Sequence, residues 1–478
     1  MNGDLVIDIV LGVVVFGIAL FSAGHALLNK EDPRAALGWI AVSFALPIVG
    51  PILYWLIGFN RIRTRARSWQ THGRGFPHVS ASLAKPLTEP LPFRSKNFTT
   101  LLDLSDRITR RPLVAGNRVK PLYNGEMAYP AMIEAIQFAR ERVWLSTYIF
   151  DNDRVGQEFA QALSEAAARG VDVRVMIDAL GERYTFPPIR WSLRRSKVHV
   201  ARFLPPSLLG RGIYFNLRNH RKLLVVDDHI GFLGGMNISL RHLAEDENNQ
   251  RRVVDLHFEV AGPVLVQMAE AFLEDWTFVT GQPPKGLDEK LPGEVGEAFC
   301  RGISAGPNED FEKLQWLIIG AISCAQRSVH IMTPYFIPSR PLVATLKATA
   351  LRGVAVEIVM PSRNNLPYVA WASQAYQREL LQYGVRIFCQ PAPFVHSKLL
   401  LIDDQYVLLG SANLDPRSLR LNFEFNLETY DKQLAKELAH HFAESRDGSR
   451  EVTLDEVEER HLTLRLRDAL FKLFSPYL

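Results

Sequence analysis

"HRKLLVVDDHIGFLGGMN" (His220–Asn237) and "HSKLLLIDDQYVLLGSAN" (His396–Asn413) are two copies of one pattern within a single chain. The copies are identical at 9 of 18 positions, and the His, the Lys, the Asp and the final Asn keep the same offsets. One H-x-K-x-x-x-x-D motif alone would be weak evidence. Two copies, each with an Asn 17 residues after its His, indicate a duplicated functional site.

The repetition extends beyond the motif to whole structural units. "RVWLSTYIF" (Arg142–Phe150) is echoed by "SVHIMTPYF" (Ser328–Phe336), and "ARGVDVRVMID" (Ala168–Asp178) by "LRGVAVEIVMP" (Leu351–Pro361). Each half therefore predicts helix, strand, helix, strand and then the motif hairpin. This order is typical of an α/β domain with a largely parallel sheet. The copies lie about 180 residues apart, which is a usual domain size.

The length and composition suit two such domains and an additional segment. A chain of 478 residues with 47% hydrophobic content can bury two sizeable cores. Pro283, Pro284 and Gly286, followed by charged residues, mark a boundary between the halves. The predicted organisation is a transmembrane helical hairpin over 1–60, a basic juxtamembrane linker over 61–114, and α/β domains over 115–285 and 286–478.

The N-terminal region contains two apolar runs. Leu5–Leu28 is nearly continuous apolar sequence, and Ala35–Gly58 contains no charged residue, so both are long enough to cross a bilayer as helices. A cleaved signal peptide is an alternative for the first run, but no Lys or Arg precedes it and a second run follows at once. Pro47 and Pro51 leave open a kinked or re-entrant second segment.

Charges near the second apolar run predict the orientation of the chain. Arg61, Arg63, Arg65 and Arg67 follow it closely. The positive-inside rule therefore places the remaining chain in the cytoplasm, as a multi-pass membrane protein with the hairpin tip outside. The same arginines are also candidates for binding anionic lipid headgroups.

The overall charge and the cysteines exclude other classes of protein. A net charge of +4 is small for this length, and no long basic run with interleaved aromatic residues occurs, so nucleic acid is not the expected partner. Cys300, Cys324 and Cys389 form no even disulfide framework and no metal-binding spacing. We interpret them as thiols in a reducing cytosol.

The motif places its polar residues on one face of a strand. Residues two apart in a strand share a face, so His220 projects with Lys222, and His396 projects with Lys398. The motif aspartates, Asp227 and Asp403, come at the strand end, an odd number of residues after the lysines, so they belong to the opposite face of the strand. We therefore interpret these two as structural residues, in a turn or as partners of the lysines.

The second arm of each motif hairpin ends in small and amide residues. Small residues allow the backbone to approach a ligand closely, and an Asn side chain supplies donors. The candidates for these supporting roles are Gly235 and Ser411, with Asn237 and Asn413.

Two His, two Lys and two Asn that converge on one cleft suit a phosphodiester. The ammonium and amide groups would hold the nonbridging oxygens, while one imidazole attacks phosphorus and the other protonates the leaving oxygen. This chemistry needs no cofactor or metal. A metal site built on the two histidines is an alternative, but the paired lysines would repel a cation there. Asp255 and Glu424 follow the two motifs and are candidate partners for the imidazoles, although solvent-facing carboxylates are the alternative.

The paired motifs resemble the phospholipase D superfamily. Further segments narrow the resemblance to its bacterial cardiolipin synthase branch over nearly the whole chain: "DPRAALGWIAVSFALPIVGPILYWLIGFNR", "NLRNHRKLLVVDD", "TPYFIP", "VHSKLLLIDD" and "GSANLDPRSLRLNFEFNLETYD". The resemblance implies two pseudo-symmetric α/β/α sandwich domains with one shared active-site cleft. It also implies transfer of a phosphatidyl group from one phosphatidylglycerol to another through a phosphohistidine, with release of glycerol.

The resemblance carries over to individual residues. It implies a catalytic set of His220, Lys222, Asp227, His396, Lys398 and Asp403, with Asp255 and Glu424 paired to the histidines. His220 is the expected nucleophile and His396 the expected acid and base, and the reverse assignment stays open. The segment "MNISLRHLAEDENNQ" departs from the expected pattern, which puts the acceptor substrate in doubt.

Three other functions stay open on the sequence. Water or another alcohol as acceptor would give a phospholipase D-type hydrolase or transphosphatidylase. A nuclease of the superfamily is disfavoured by the apolar runs and the near-neutral charge, and a non-catalytic membrane scaffold by the presence of both His–Lys pairs. The expected partners are phosphatidylglycerol and other anionic membrane lipids, and the sequence gives no oligomeric state.

Overall fold

The structure, a computed structural model, describes residues 3–30, 33–58, 96–205, 217–282, 292–306 and 312–475. The chain divides into two compact units, Met1–Gly75 and Phe76–Leu478. The arginines at positions 61, 63, 65 and 67 and the boundary at Pro283, Pro284 and Gly286 lie outside the described residues. The predicted domain limits therefore stay a prediction.

Among its described residues, the N-terminal unit contains one helix that is long and apolar enough to span a membrane. Its helices are α1 (Gly3–Asn29), α2 (Pro33–Ala45), α3 (Val49–Leu53) and a π-helical turn (Tyr54–Gly58). At about 1.5 Å per residue, α1 is about 40 Å long and exceeds a hydrocarbon core of about 30 Å. The 13 residues of α2 reach only about 20 Å. The hairpin expectation is thus confirmed only in part.

The second apolar run reverses direction near its middle. Helix α2 ends at Ala45, and a turn that contains Pro47 separates it from α3. Proline lacks a backbone N–H and clashes with the preceding helical turn, so it favours a break here. Phe44, at the end of α2, contacts Phe16 midway along α1, with 6.0 Å between the ring centroids.

Beyond this turn the chain runs back in the direction of α1. Trp55 donates from Nε1 to Ser22 Oγ at 2.9 Å, and Lys30 donates from Nζ to the carbonyl oxygen of Gly58 at 2.5 Å. Later residues of the run thus contact later residues of α1. The end of the second apolar run therefore lies beside the C-terminal end of α1.

The larger unit consists of two halves with matching elements. The strands of the first half are β1 (Val114–Tyr123), β2 (Arg142–Thr147), β3 (Asp172–Asp178), β4 (His199–Phe203), β5 (Leu223–Val226), β6 (Ile230–Gly234), β7 (Val253–Val254) and β8 (Leu256–Ala261). Its helices are α4 (Lys96–Thr109), α5 (Asn124–Phe138), α6 (Arg154–Ala168), α7 (Arg190–Leu193) and α8 (Leu265–Thr280).

The second half repeats the order. Its strands are β9 (Ala298–Ala305), β10 (Ser328–Met332), β11 (Ala355–Pro361), β12 (Arg386–Gln390), β13 (Phe394–Val395), β14 (Leu399–Ile402), β15 (Tyr406–Gly410), β16 (Glu424–Tyr430) and β17 (Arg450–Val452). Its helices are α9 (Lys313–Cys324), α10 (Arg340–Leu351), α11 (Pro367–Leu381), α12 (Pro416–Arg420), α13 (Lys432–Asp447), α14 (Leu454–Glu458) and α15 (Leu462–Leu473).

The strand order of the main sheet is symmetric about its centre. From one edge to the other it reads β17-β12-β11-β10-β14-β15-β16-β9-β1-β8-β6-β5-β2-β3-β4. Apart from β17, each strand of one half has its counterpart at the same distance from the central β9–β1 pair. The duplicated α/β fold that the sequence predicts is therefore confirmed, and the two copies join into one continuous sheet.

The expectation of a largely parallel sheet is wrong for the motif strands. Strands β2, β3 and β4 are parallel, as are β10, β11 and β12. The motif hairpins β5–β6 and β14–β15 are antiparallel, and so are their pairings with β8 and β16. The reason is connection length, because a short turn can join only antiparallel neighbours.

One of the buried cores is shared by the two halves. It combines Leu223 and Phe272 from the first half with Phe425 and Leu434 from the second, all at most 3% exposed. Each such side chain stabilises the fold by roughly 1.5–3 kcal/mol when fully buried. The two halves therefore stabilise each other as one unit.

The motif aspartates occupy the hairpin turns at matching positions. Asp227 and Asp403 adopt positive φ angles of 51° and 54°, a conformation that Asp tolerates. The Asp403 carboxylate accepts hydrogen bonds from the backbone N–H groups of Gln326, Arg327 and Ser328. Asp227 accepts three such bonds from residues 140–142, just before β2. Each aspartate thus fixes the hairpin turn to the start of a parallel strand.

This arrangement predicts a stability role for Asp403. In the Asp403→Asn variant a side-chain amide N–H faces a backbone N–H, and we expect the free energy of unfolding to fall by about 1–3 kcal/mol. Asp404→Asn is the matched control, because Asp404 has a similar φ of 52° but a half-exposed carboxylate that pairs with Arg327. Urea denaturation of the purified protein measures both variants. Equal midpoints would contradict the structural role.

Candidate active site

Both motif histidines are held by the backbone of the opposite half. The amide of His220 donates to the carbonyl oxygen of Phe423 at 2.9 Å, and the amide of His396 donates to that of Val254 at 2.7 Å. Strands β7 and β13 pair in parallel across the halves at the second of these contacts. Because Phe423 precedes Glu424 and Val254 precedes Asp255, these bonds bring the candidate carboxylates to the histidines.

The side chains of the histidines also bind to the opposite half. His220 Nδ1 lies 3.1 Å from Glu424 Oε2, and His396 Nδ1 lies 2.8 Å from Asp255 Oδ2. Both carboxylates have fully buried side chains, whereas the imidazoles keep 13% and 12% of their surface exposed. Within the described residues, Nε2 of each ring has no hydrogen-bond partner. A carboxylate on Nδ1 fixes the ring and leaves Nε2 for chemistry.

The motif lysines are buried beside the histidines. Lys222 donates from Nζ to the carbonyl oxygen of His220 at 2.7 Å, and Lys398 Nζ lies 2.9 Å from His396 Nδ1. Burial, reinforced by the charge of Lys398, lowers the pKa of Lys222 to about 7. Burial lowers the pKa of Lys398 to about 8. The site therefore carries positive charge that is lost just above neutral pH.

The electrostatics agree with one site formed from both halves. Burial lowers the pKa of His220, and Lys398 of the other half lowers it further while Glu424 opposes the shift. Burial also lowers the pKa of His396 well below its usual value, with contributions from Lys398 and, across the halves, from Lys222. Each imidazole therefore experiences the lysine charges of both halves, which favours an anionic ligand between them.

The two carboxylates have different environments. Burial raises the pKa of Asp255, and the charge of Lys398 offsets this only in part. Burial acts in the same direction on Glu424, but the charges of His220 and Lys222 outweigh it, so the pKa of Glu424 falls below its usual value.

Neighbouring residues produce part of this difference. Ser411 donates from Oγ to Glu424 Oε2 at 2.5 Å, and Asn422 donates from Nδ2 to Oε1 at 3.2 Å. The counterpart of Ser411 is Gly235, where a Cβ atom would lie 2.3 Å from an Asp255 carboxylate oxygen. The first half thus needs glycine at this position, while the second supplies a hydroxyl donor.

Other predicted site residues occupy different places. Asp227 and Asp403 lie in the hairpin turns and accept hydrogen bonds from backbone amides at the start of β2 and β10. The structure therefore does not bring them to the histidines. Asn237 accepts at Oδ1 from the amide of Ile149 at 3.1 Å, and Asn413 donates from Nδ2 to Ser418 Oγ at 3.2 Å. A role for these asparagines in phosphate binding stays a prediction.

Several residues near the site were missed on the sequence. Tyr148 contacts His220 with ring centroids 5.2 Å apart and ring planes tilted by 58°, and the ring centroids of Tyr335 and His396 are 6.3 Å apart. Asp178 ends strand β3 and accepts from the amide of Asn219, next to His220, at 2.9 Å. An acidic residue at the carboxyl end of a buried parallel strand, as in "VRVMID", was the available signal for Asp178.

The arrangement supports transfer at a phosphorus centre. Two imidazoles with free Nε2 atoms can act as nucleophile and as proton donor, and two ammonium groups can stabilise charge on phosphate oxygens. The carboxylate on each Nδ1 stabilises an imidazolium or a phosphorylated ring. These roles need both halves, because each imidazole takes its carboxylate from the other.

Comparison with known families matches both parts of the chain. A family model described as "Cardiolipin synthase, PLD-like domain" matches residues 132–276 and 318–446. A model described as "Phospholipase_D-nuclease N-terminal" matches residues 17–58. The first model covers the two halves separately, in agreement with the duplication.

Curated relatives match over almost the whole chain. "Cardiolipin synthase A" of Pseudomonas putida (strain GB-1) is 32% identical over 464 residues, which cover 96% of each chain. "Cardiolipin synthase" of Geobacillus thermodenitrificans (strain NG80-2) is 30% identical over 480 residues, which cover 98% of this chain and 94% of the relative. Among solved structures, the phosphatidylserine synthase of Haemophilus influenzae Rd KW20 matches with a TM-score of 0.62 and 17% identity. That match covers 79% of this chain and 100% of the other, and it shows a shared fold.

The lysine pKa values predict how turnover depends on pH. As the pH rises through about 7 and 8, Lys222 and Lys398 lose their protons in the empty site, so anion binding weakens. We therefore expect kcat/KM for an anionic phosphodiester to fall between pH 7 and 9, while kcat falls at higher pH because the bound anion stabilises both ammonium groups. Steady-state kinetics at constant ionic strength measures this, with thermal stability over the same pH range as control. A flat kcat/KM up to pH 9 would contradict it.

Proposed function

The chain belongs to the cardiolipin synthase family of phospholipase D-like proteins, and we propose on that premise that it makes cardiolipin from two molecules of phosphatidylglycerol. The observation that carries the proposal is the pair of imidazoles, each bonded to a carboxylate of the opposite half, beside two buried lysines. This constellation suits a singly charged phosphodiester, and a membrane protein of this family has phospholipids as substrates.

The first step forms a phosphohistidine. Nε2 of His220 attacks phosphorus of the first phosphatidylglycerol, and the P–O bond to the glycerol headgroup breaks. His396, whose lowered pKa in the free enzyme is raised by the negative charge of the bound phosphodiester, gives its proton to the departing oxygen, and free glycerol leaves. Lys222 and Lys398 stabilise the negative charge on the nonbridging oxygens.

The second step transfers the phosphatidyl group. The terminal headgroup hydroxyl of another phosphatidylglycerol attacks phosphorus, and the now neutral His396 takes the hydroxyl proton. The P–N bond breaks, which releases cardiolipin and restores His220. Glu424 and Asp255 hold the two rings in position throughout, and water in place of the second lipid would give phosphatidic acid.

The product distribution tests this function. The purified protein in vesicles of phosphatidylglycerol is expected to form cardiolipin and glycerol in equal amounts, measured by mass spectrometry. His220→Ala and His396→Ala should each lose at least 10³-fold in rate, as expected when a covalent nucleophile or its acid is removed. Glu259→Gln is a suitable control, since Glu259 lies on β8 and pairs with Arg118. Phosphatidic acid as the main product would instead favour the hydrolase.

We propose in addition that the second apolar run is re-entrant. Helix α1 crosses the bilayer once, and the run from α2 to Gly58 enters and returns to the side it started from, because Gly58 lies beside Lys30. The arginines at 61, 63, 65 and 67 favour the cytoplasm for that side. The catalytic halves are then cytoplasmic, and the N-terminus, which has no Lys or Arg before Lys30, lies outside.

Cysteine labelling of intact cells distinguishes this topology from two full crossings. Asn2→Cys is expected to react with a membrane-impermeant maleimide, whereas Asn29→Cys should react only after permeabilisation. If both apolar runs cross the bilayer fully, Asn2→Cys should react only after permeabilisation and Asn29→Cys should react in intact cells. The native Cys324 and Cys389, both partly exposed, serve as internal markers of the cytoplasmic side.

A further inference from the structure

The segment after strand β3 presents aromatic side chains to solvent. We call residues 181–197 the lip. Tyr184, Phe186 and Trp191 on the lip are 52%, 85% and 45% exposed, and the rings of Phe186 and Trp191 contact each other with centroids 5.8 Å apart. A single exposed aromatic side chain is ordinary, but three on one short segment indicate an interaction surface.

The lip lies beside the active site. Tyr184 contacts Tyr148 with ring centroids 6.3 Å apart, and Tyr148 in turn contacts His220. Asp178 connects the same regions through the backbone, because it accepts from the amide of Leu180 at 2.8 Å and from that of Asn219. Tyr184, two residues before Phe186, is therefore linked to His220 through Tyr148.

Contacts with the body of the first half hold the lip in place. Asn152 donates from Nδ2 to the carbonyl oxygen of Pro187 at 2.8 Å, and its amide donates to Thr185 Oγ1 at 2.9 Å. Gln157 on α6 donates to Ser192 Oγ at 3.1 Å. Phe186 and Trp191 thus project from an anchored segment.

The lip is also strongly basic. Its exposed cations are Arg183, Arg194, Arg195 and Lys197, and none forms an ion pair with a carboxylate among the described residues. The acidic residue of the lip, Glu182, is buried and forms ion pairs with Arg190 at 2.5 Å and with Arg202 at 2.8 Å. The surface around the aromatic pair therefore carries uncompensated positive charge.

We propose that the lip docks on the surface of an anionic bilayer. Phe186 and Trp191 enter the interface, where amphipathic aromatic rings are favoured, and the four cations contact lipid phosphates. The bilayer lipid then faces the cleft beside Tyr148 and His220. This inference rests on the proposed function for the identity of the substrate, and the docking itself is measurable without turnover.

Fluorescence quenching by lipid tests the docking. Phe186→Cys carrying a bimane label, in the full chain with Cys324 and Cys389 replaced by Ser, is reconstituted in vesicles of phosphatidylglycerol and phosphatidylcholine. Phe138→Cys is the matched control, because Phe138 is 74% exposed but precedes the amino end of β2, whereas the lip follows the carboxyl end of the parallel neighbour β3. Nitroxide groups on the lipid chains should quench the label at 186 at least threefold more than at 138. Equal quenching would overturn the proposal.

Activity on two physical forms of one lipid separates docking from chemistry. The double variant Phe186→Ser, Trp191→Ser should lower the ratio of turnover on vesicles to turnover on monomeric short-chain phosphatidylglycerol at least fivefold, whereas Phe138→Ser should not. An unchanged ratio would overturn the docking role. If turnover on vesicles and on monomeric lipid falls equally, the lip instead binds the headgroup. Absence of cardiolipin from the unmodified protein would reject the proposed function, while the quenching result would still decide the docking.

Discussion

Each imidazole of the site is hydrogen-bonded to a carboxylate that comes from the other half of the chain. His220 depends on Glu424 and His396 depends on Asp255, and the backbone amides of both histidines repeat the exchange. Such pairing requires the halves to face each other about an approximate twofold axis. The symmetric strand order, the central β9–β1 pair and the shared core meet that requirement.

Approximate symmetry does not make the two His–carboxylate pairs equivalent. Glu424 is held by Ser411 and Asn422 and has a lowered pKa, whereas Asp255 lies against Gly235 and has a raised pKa. Transfer through a phosphohistidine needs two imidazoles in opposite protonation states at the same moment. The different surroundings of the carboxylates are a physical source of that difference, since a fully symmetric pair would have none.

The sequence predicted the duplication, the motif hairpins and the pairing of His with Lys in each motif, because repeated spacing and strand parity are local properties. The catalytic roles of these residues stay a prediction. The sequence also identified Asp255 and Glu424, but not which histidine each contacts, since that depends on the packing of the halves. Asp227 and Asp403 lie in turns, as the sequence indicated. The backbone amides that they bind could not be predicted, because those amides lie more than 70 residues away in sequence. The reversal at Pro47 was left open because proline favours both a kink and a turn.

The exchange of carboxylates bears on how such a chain could arise. A single ancestral half with one histidine, one lysine and one acid would complete its site only by pairing with an identical copy in a twofold dimer, where every change occurs in both copies at once. Joining the two copies in one gene removes that constraint. A glycine at position 235 and a serine at position 411 are the kind of difference that only a fused chain can keep.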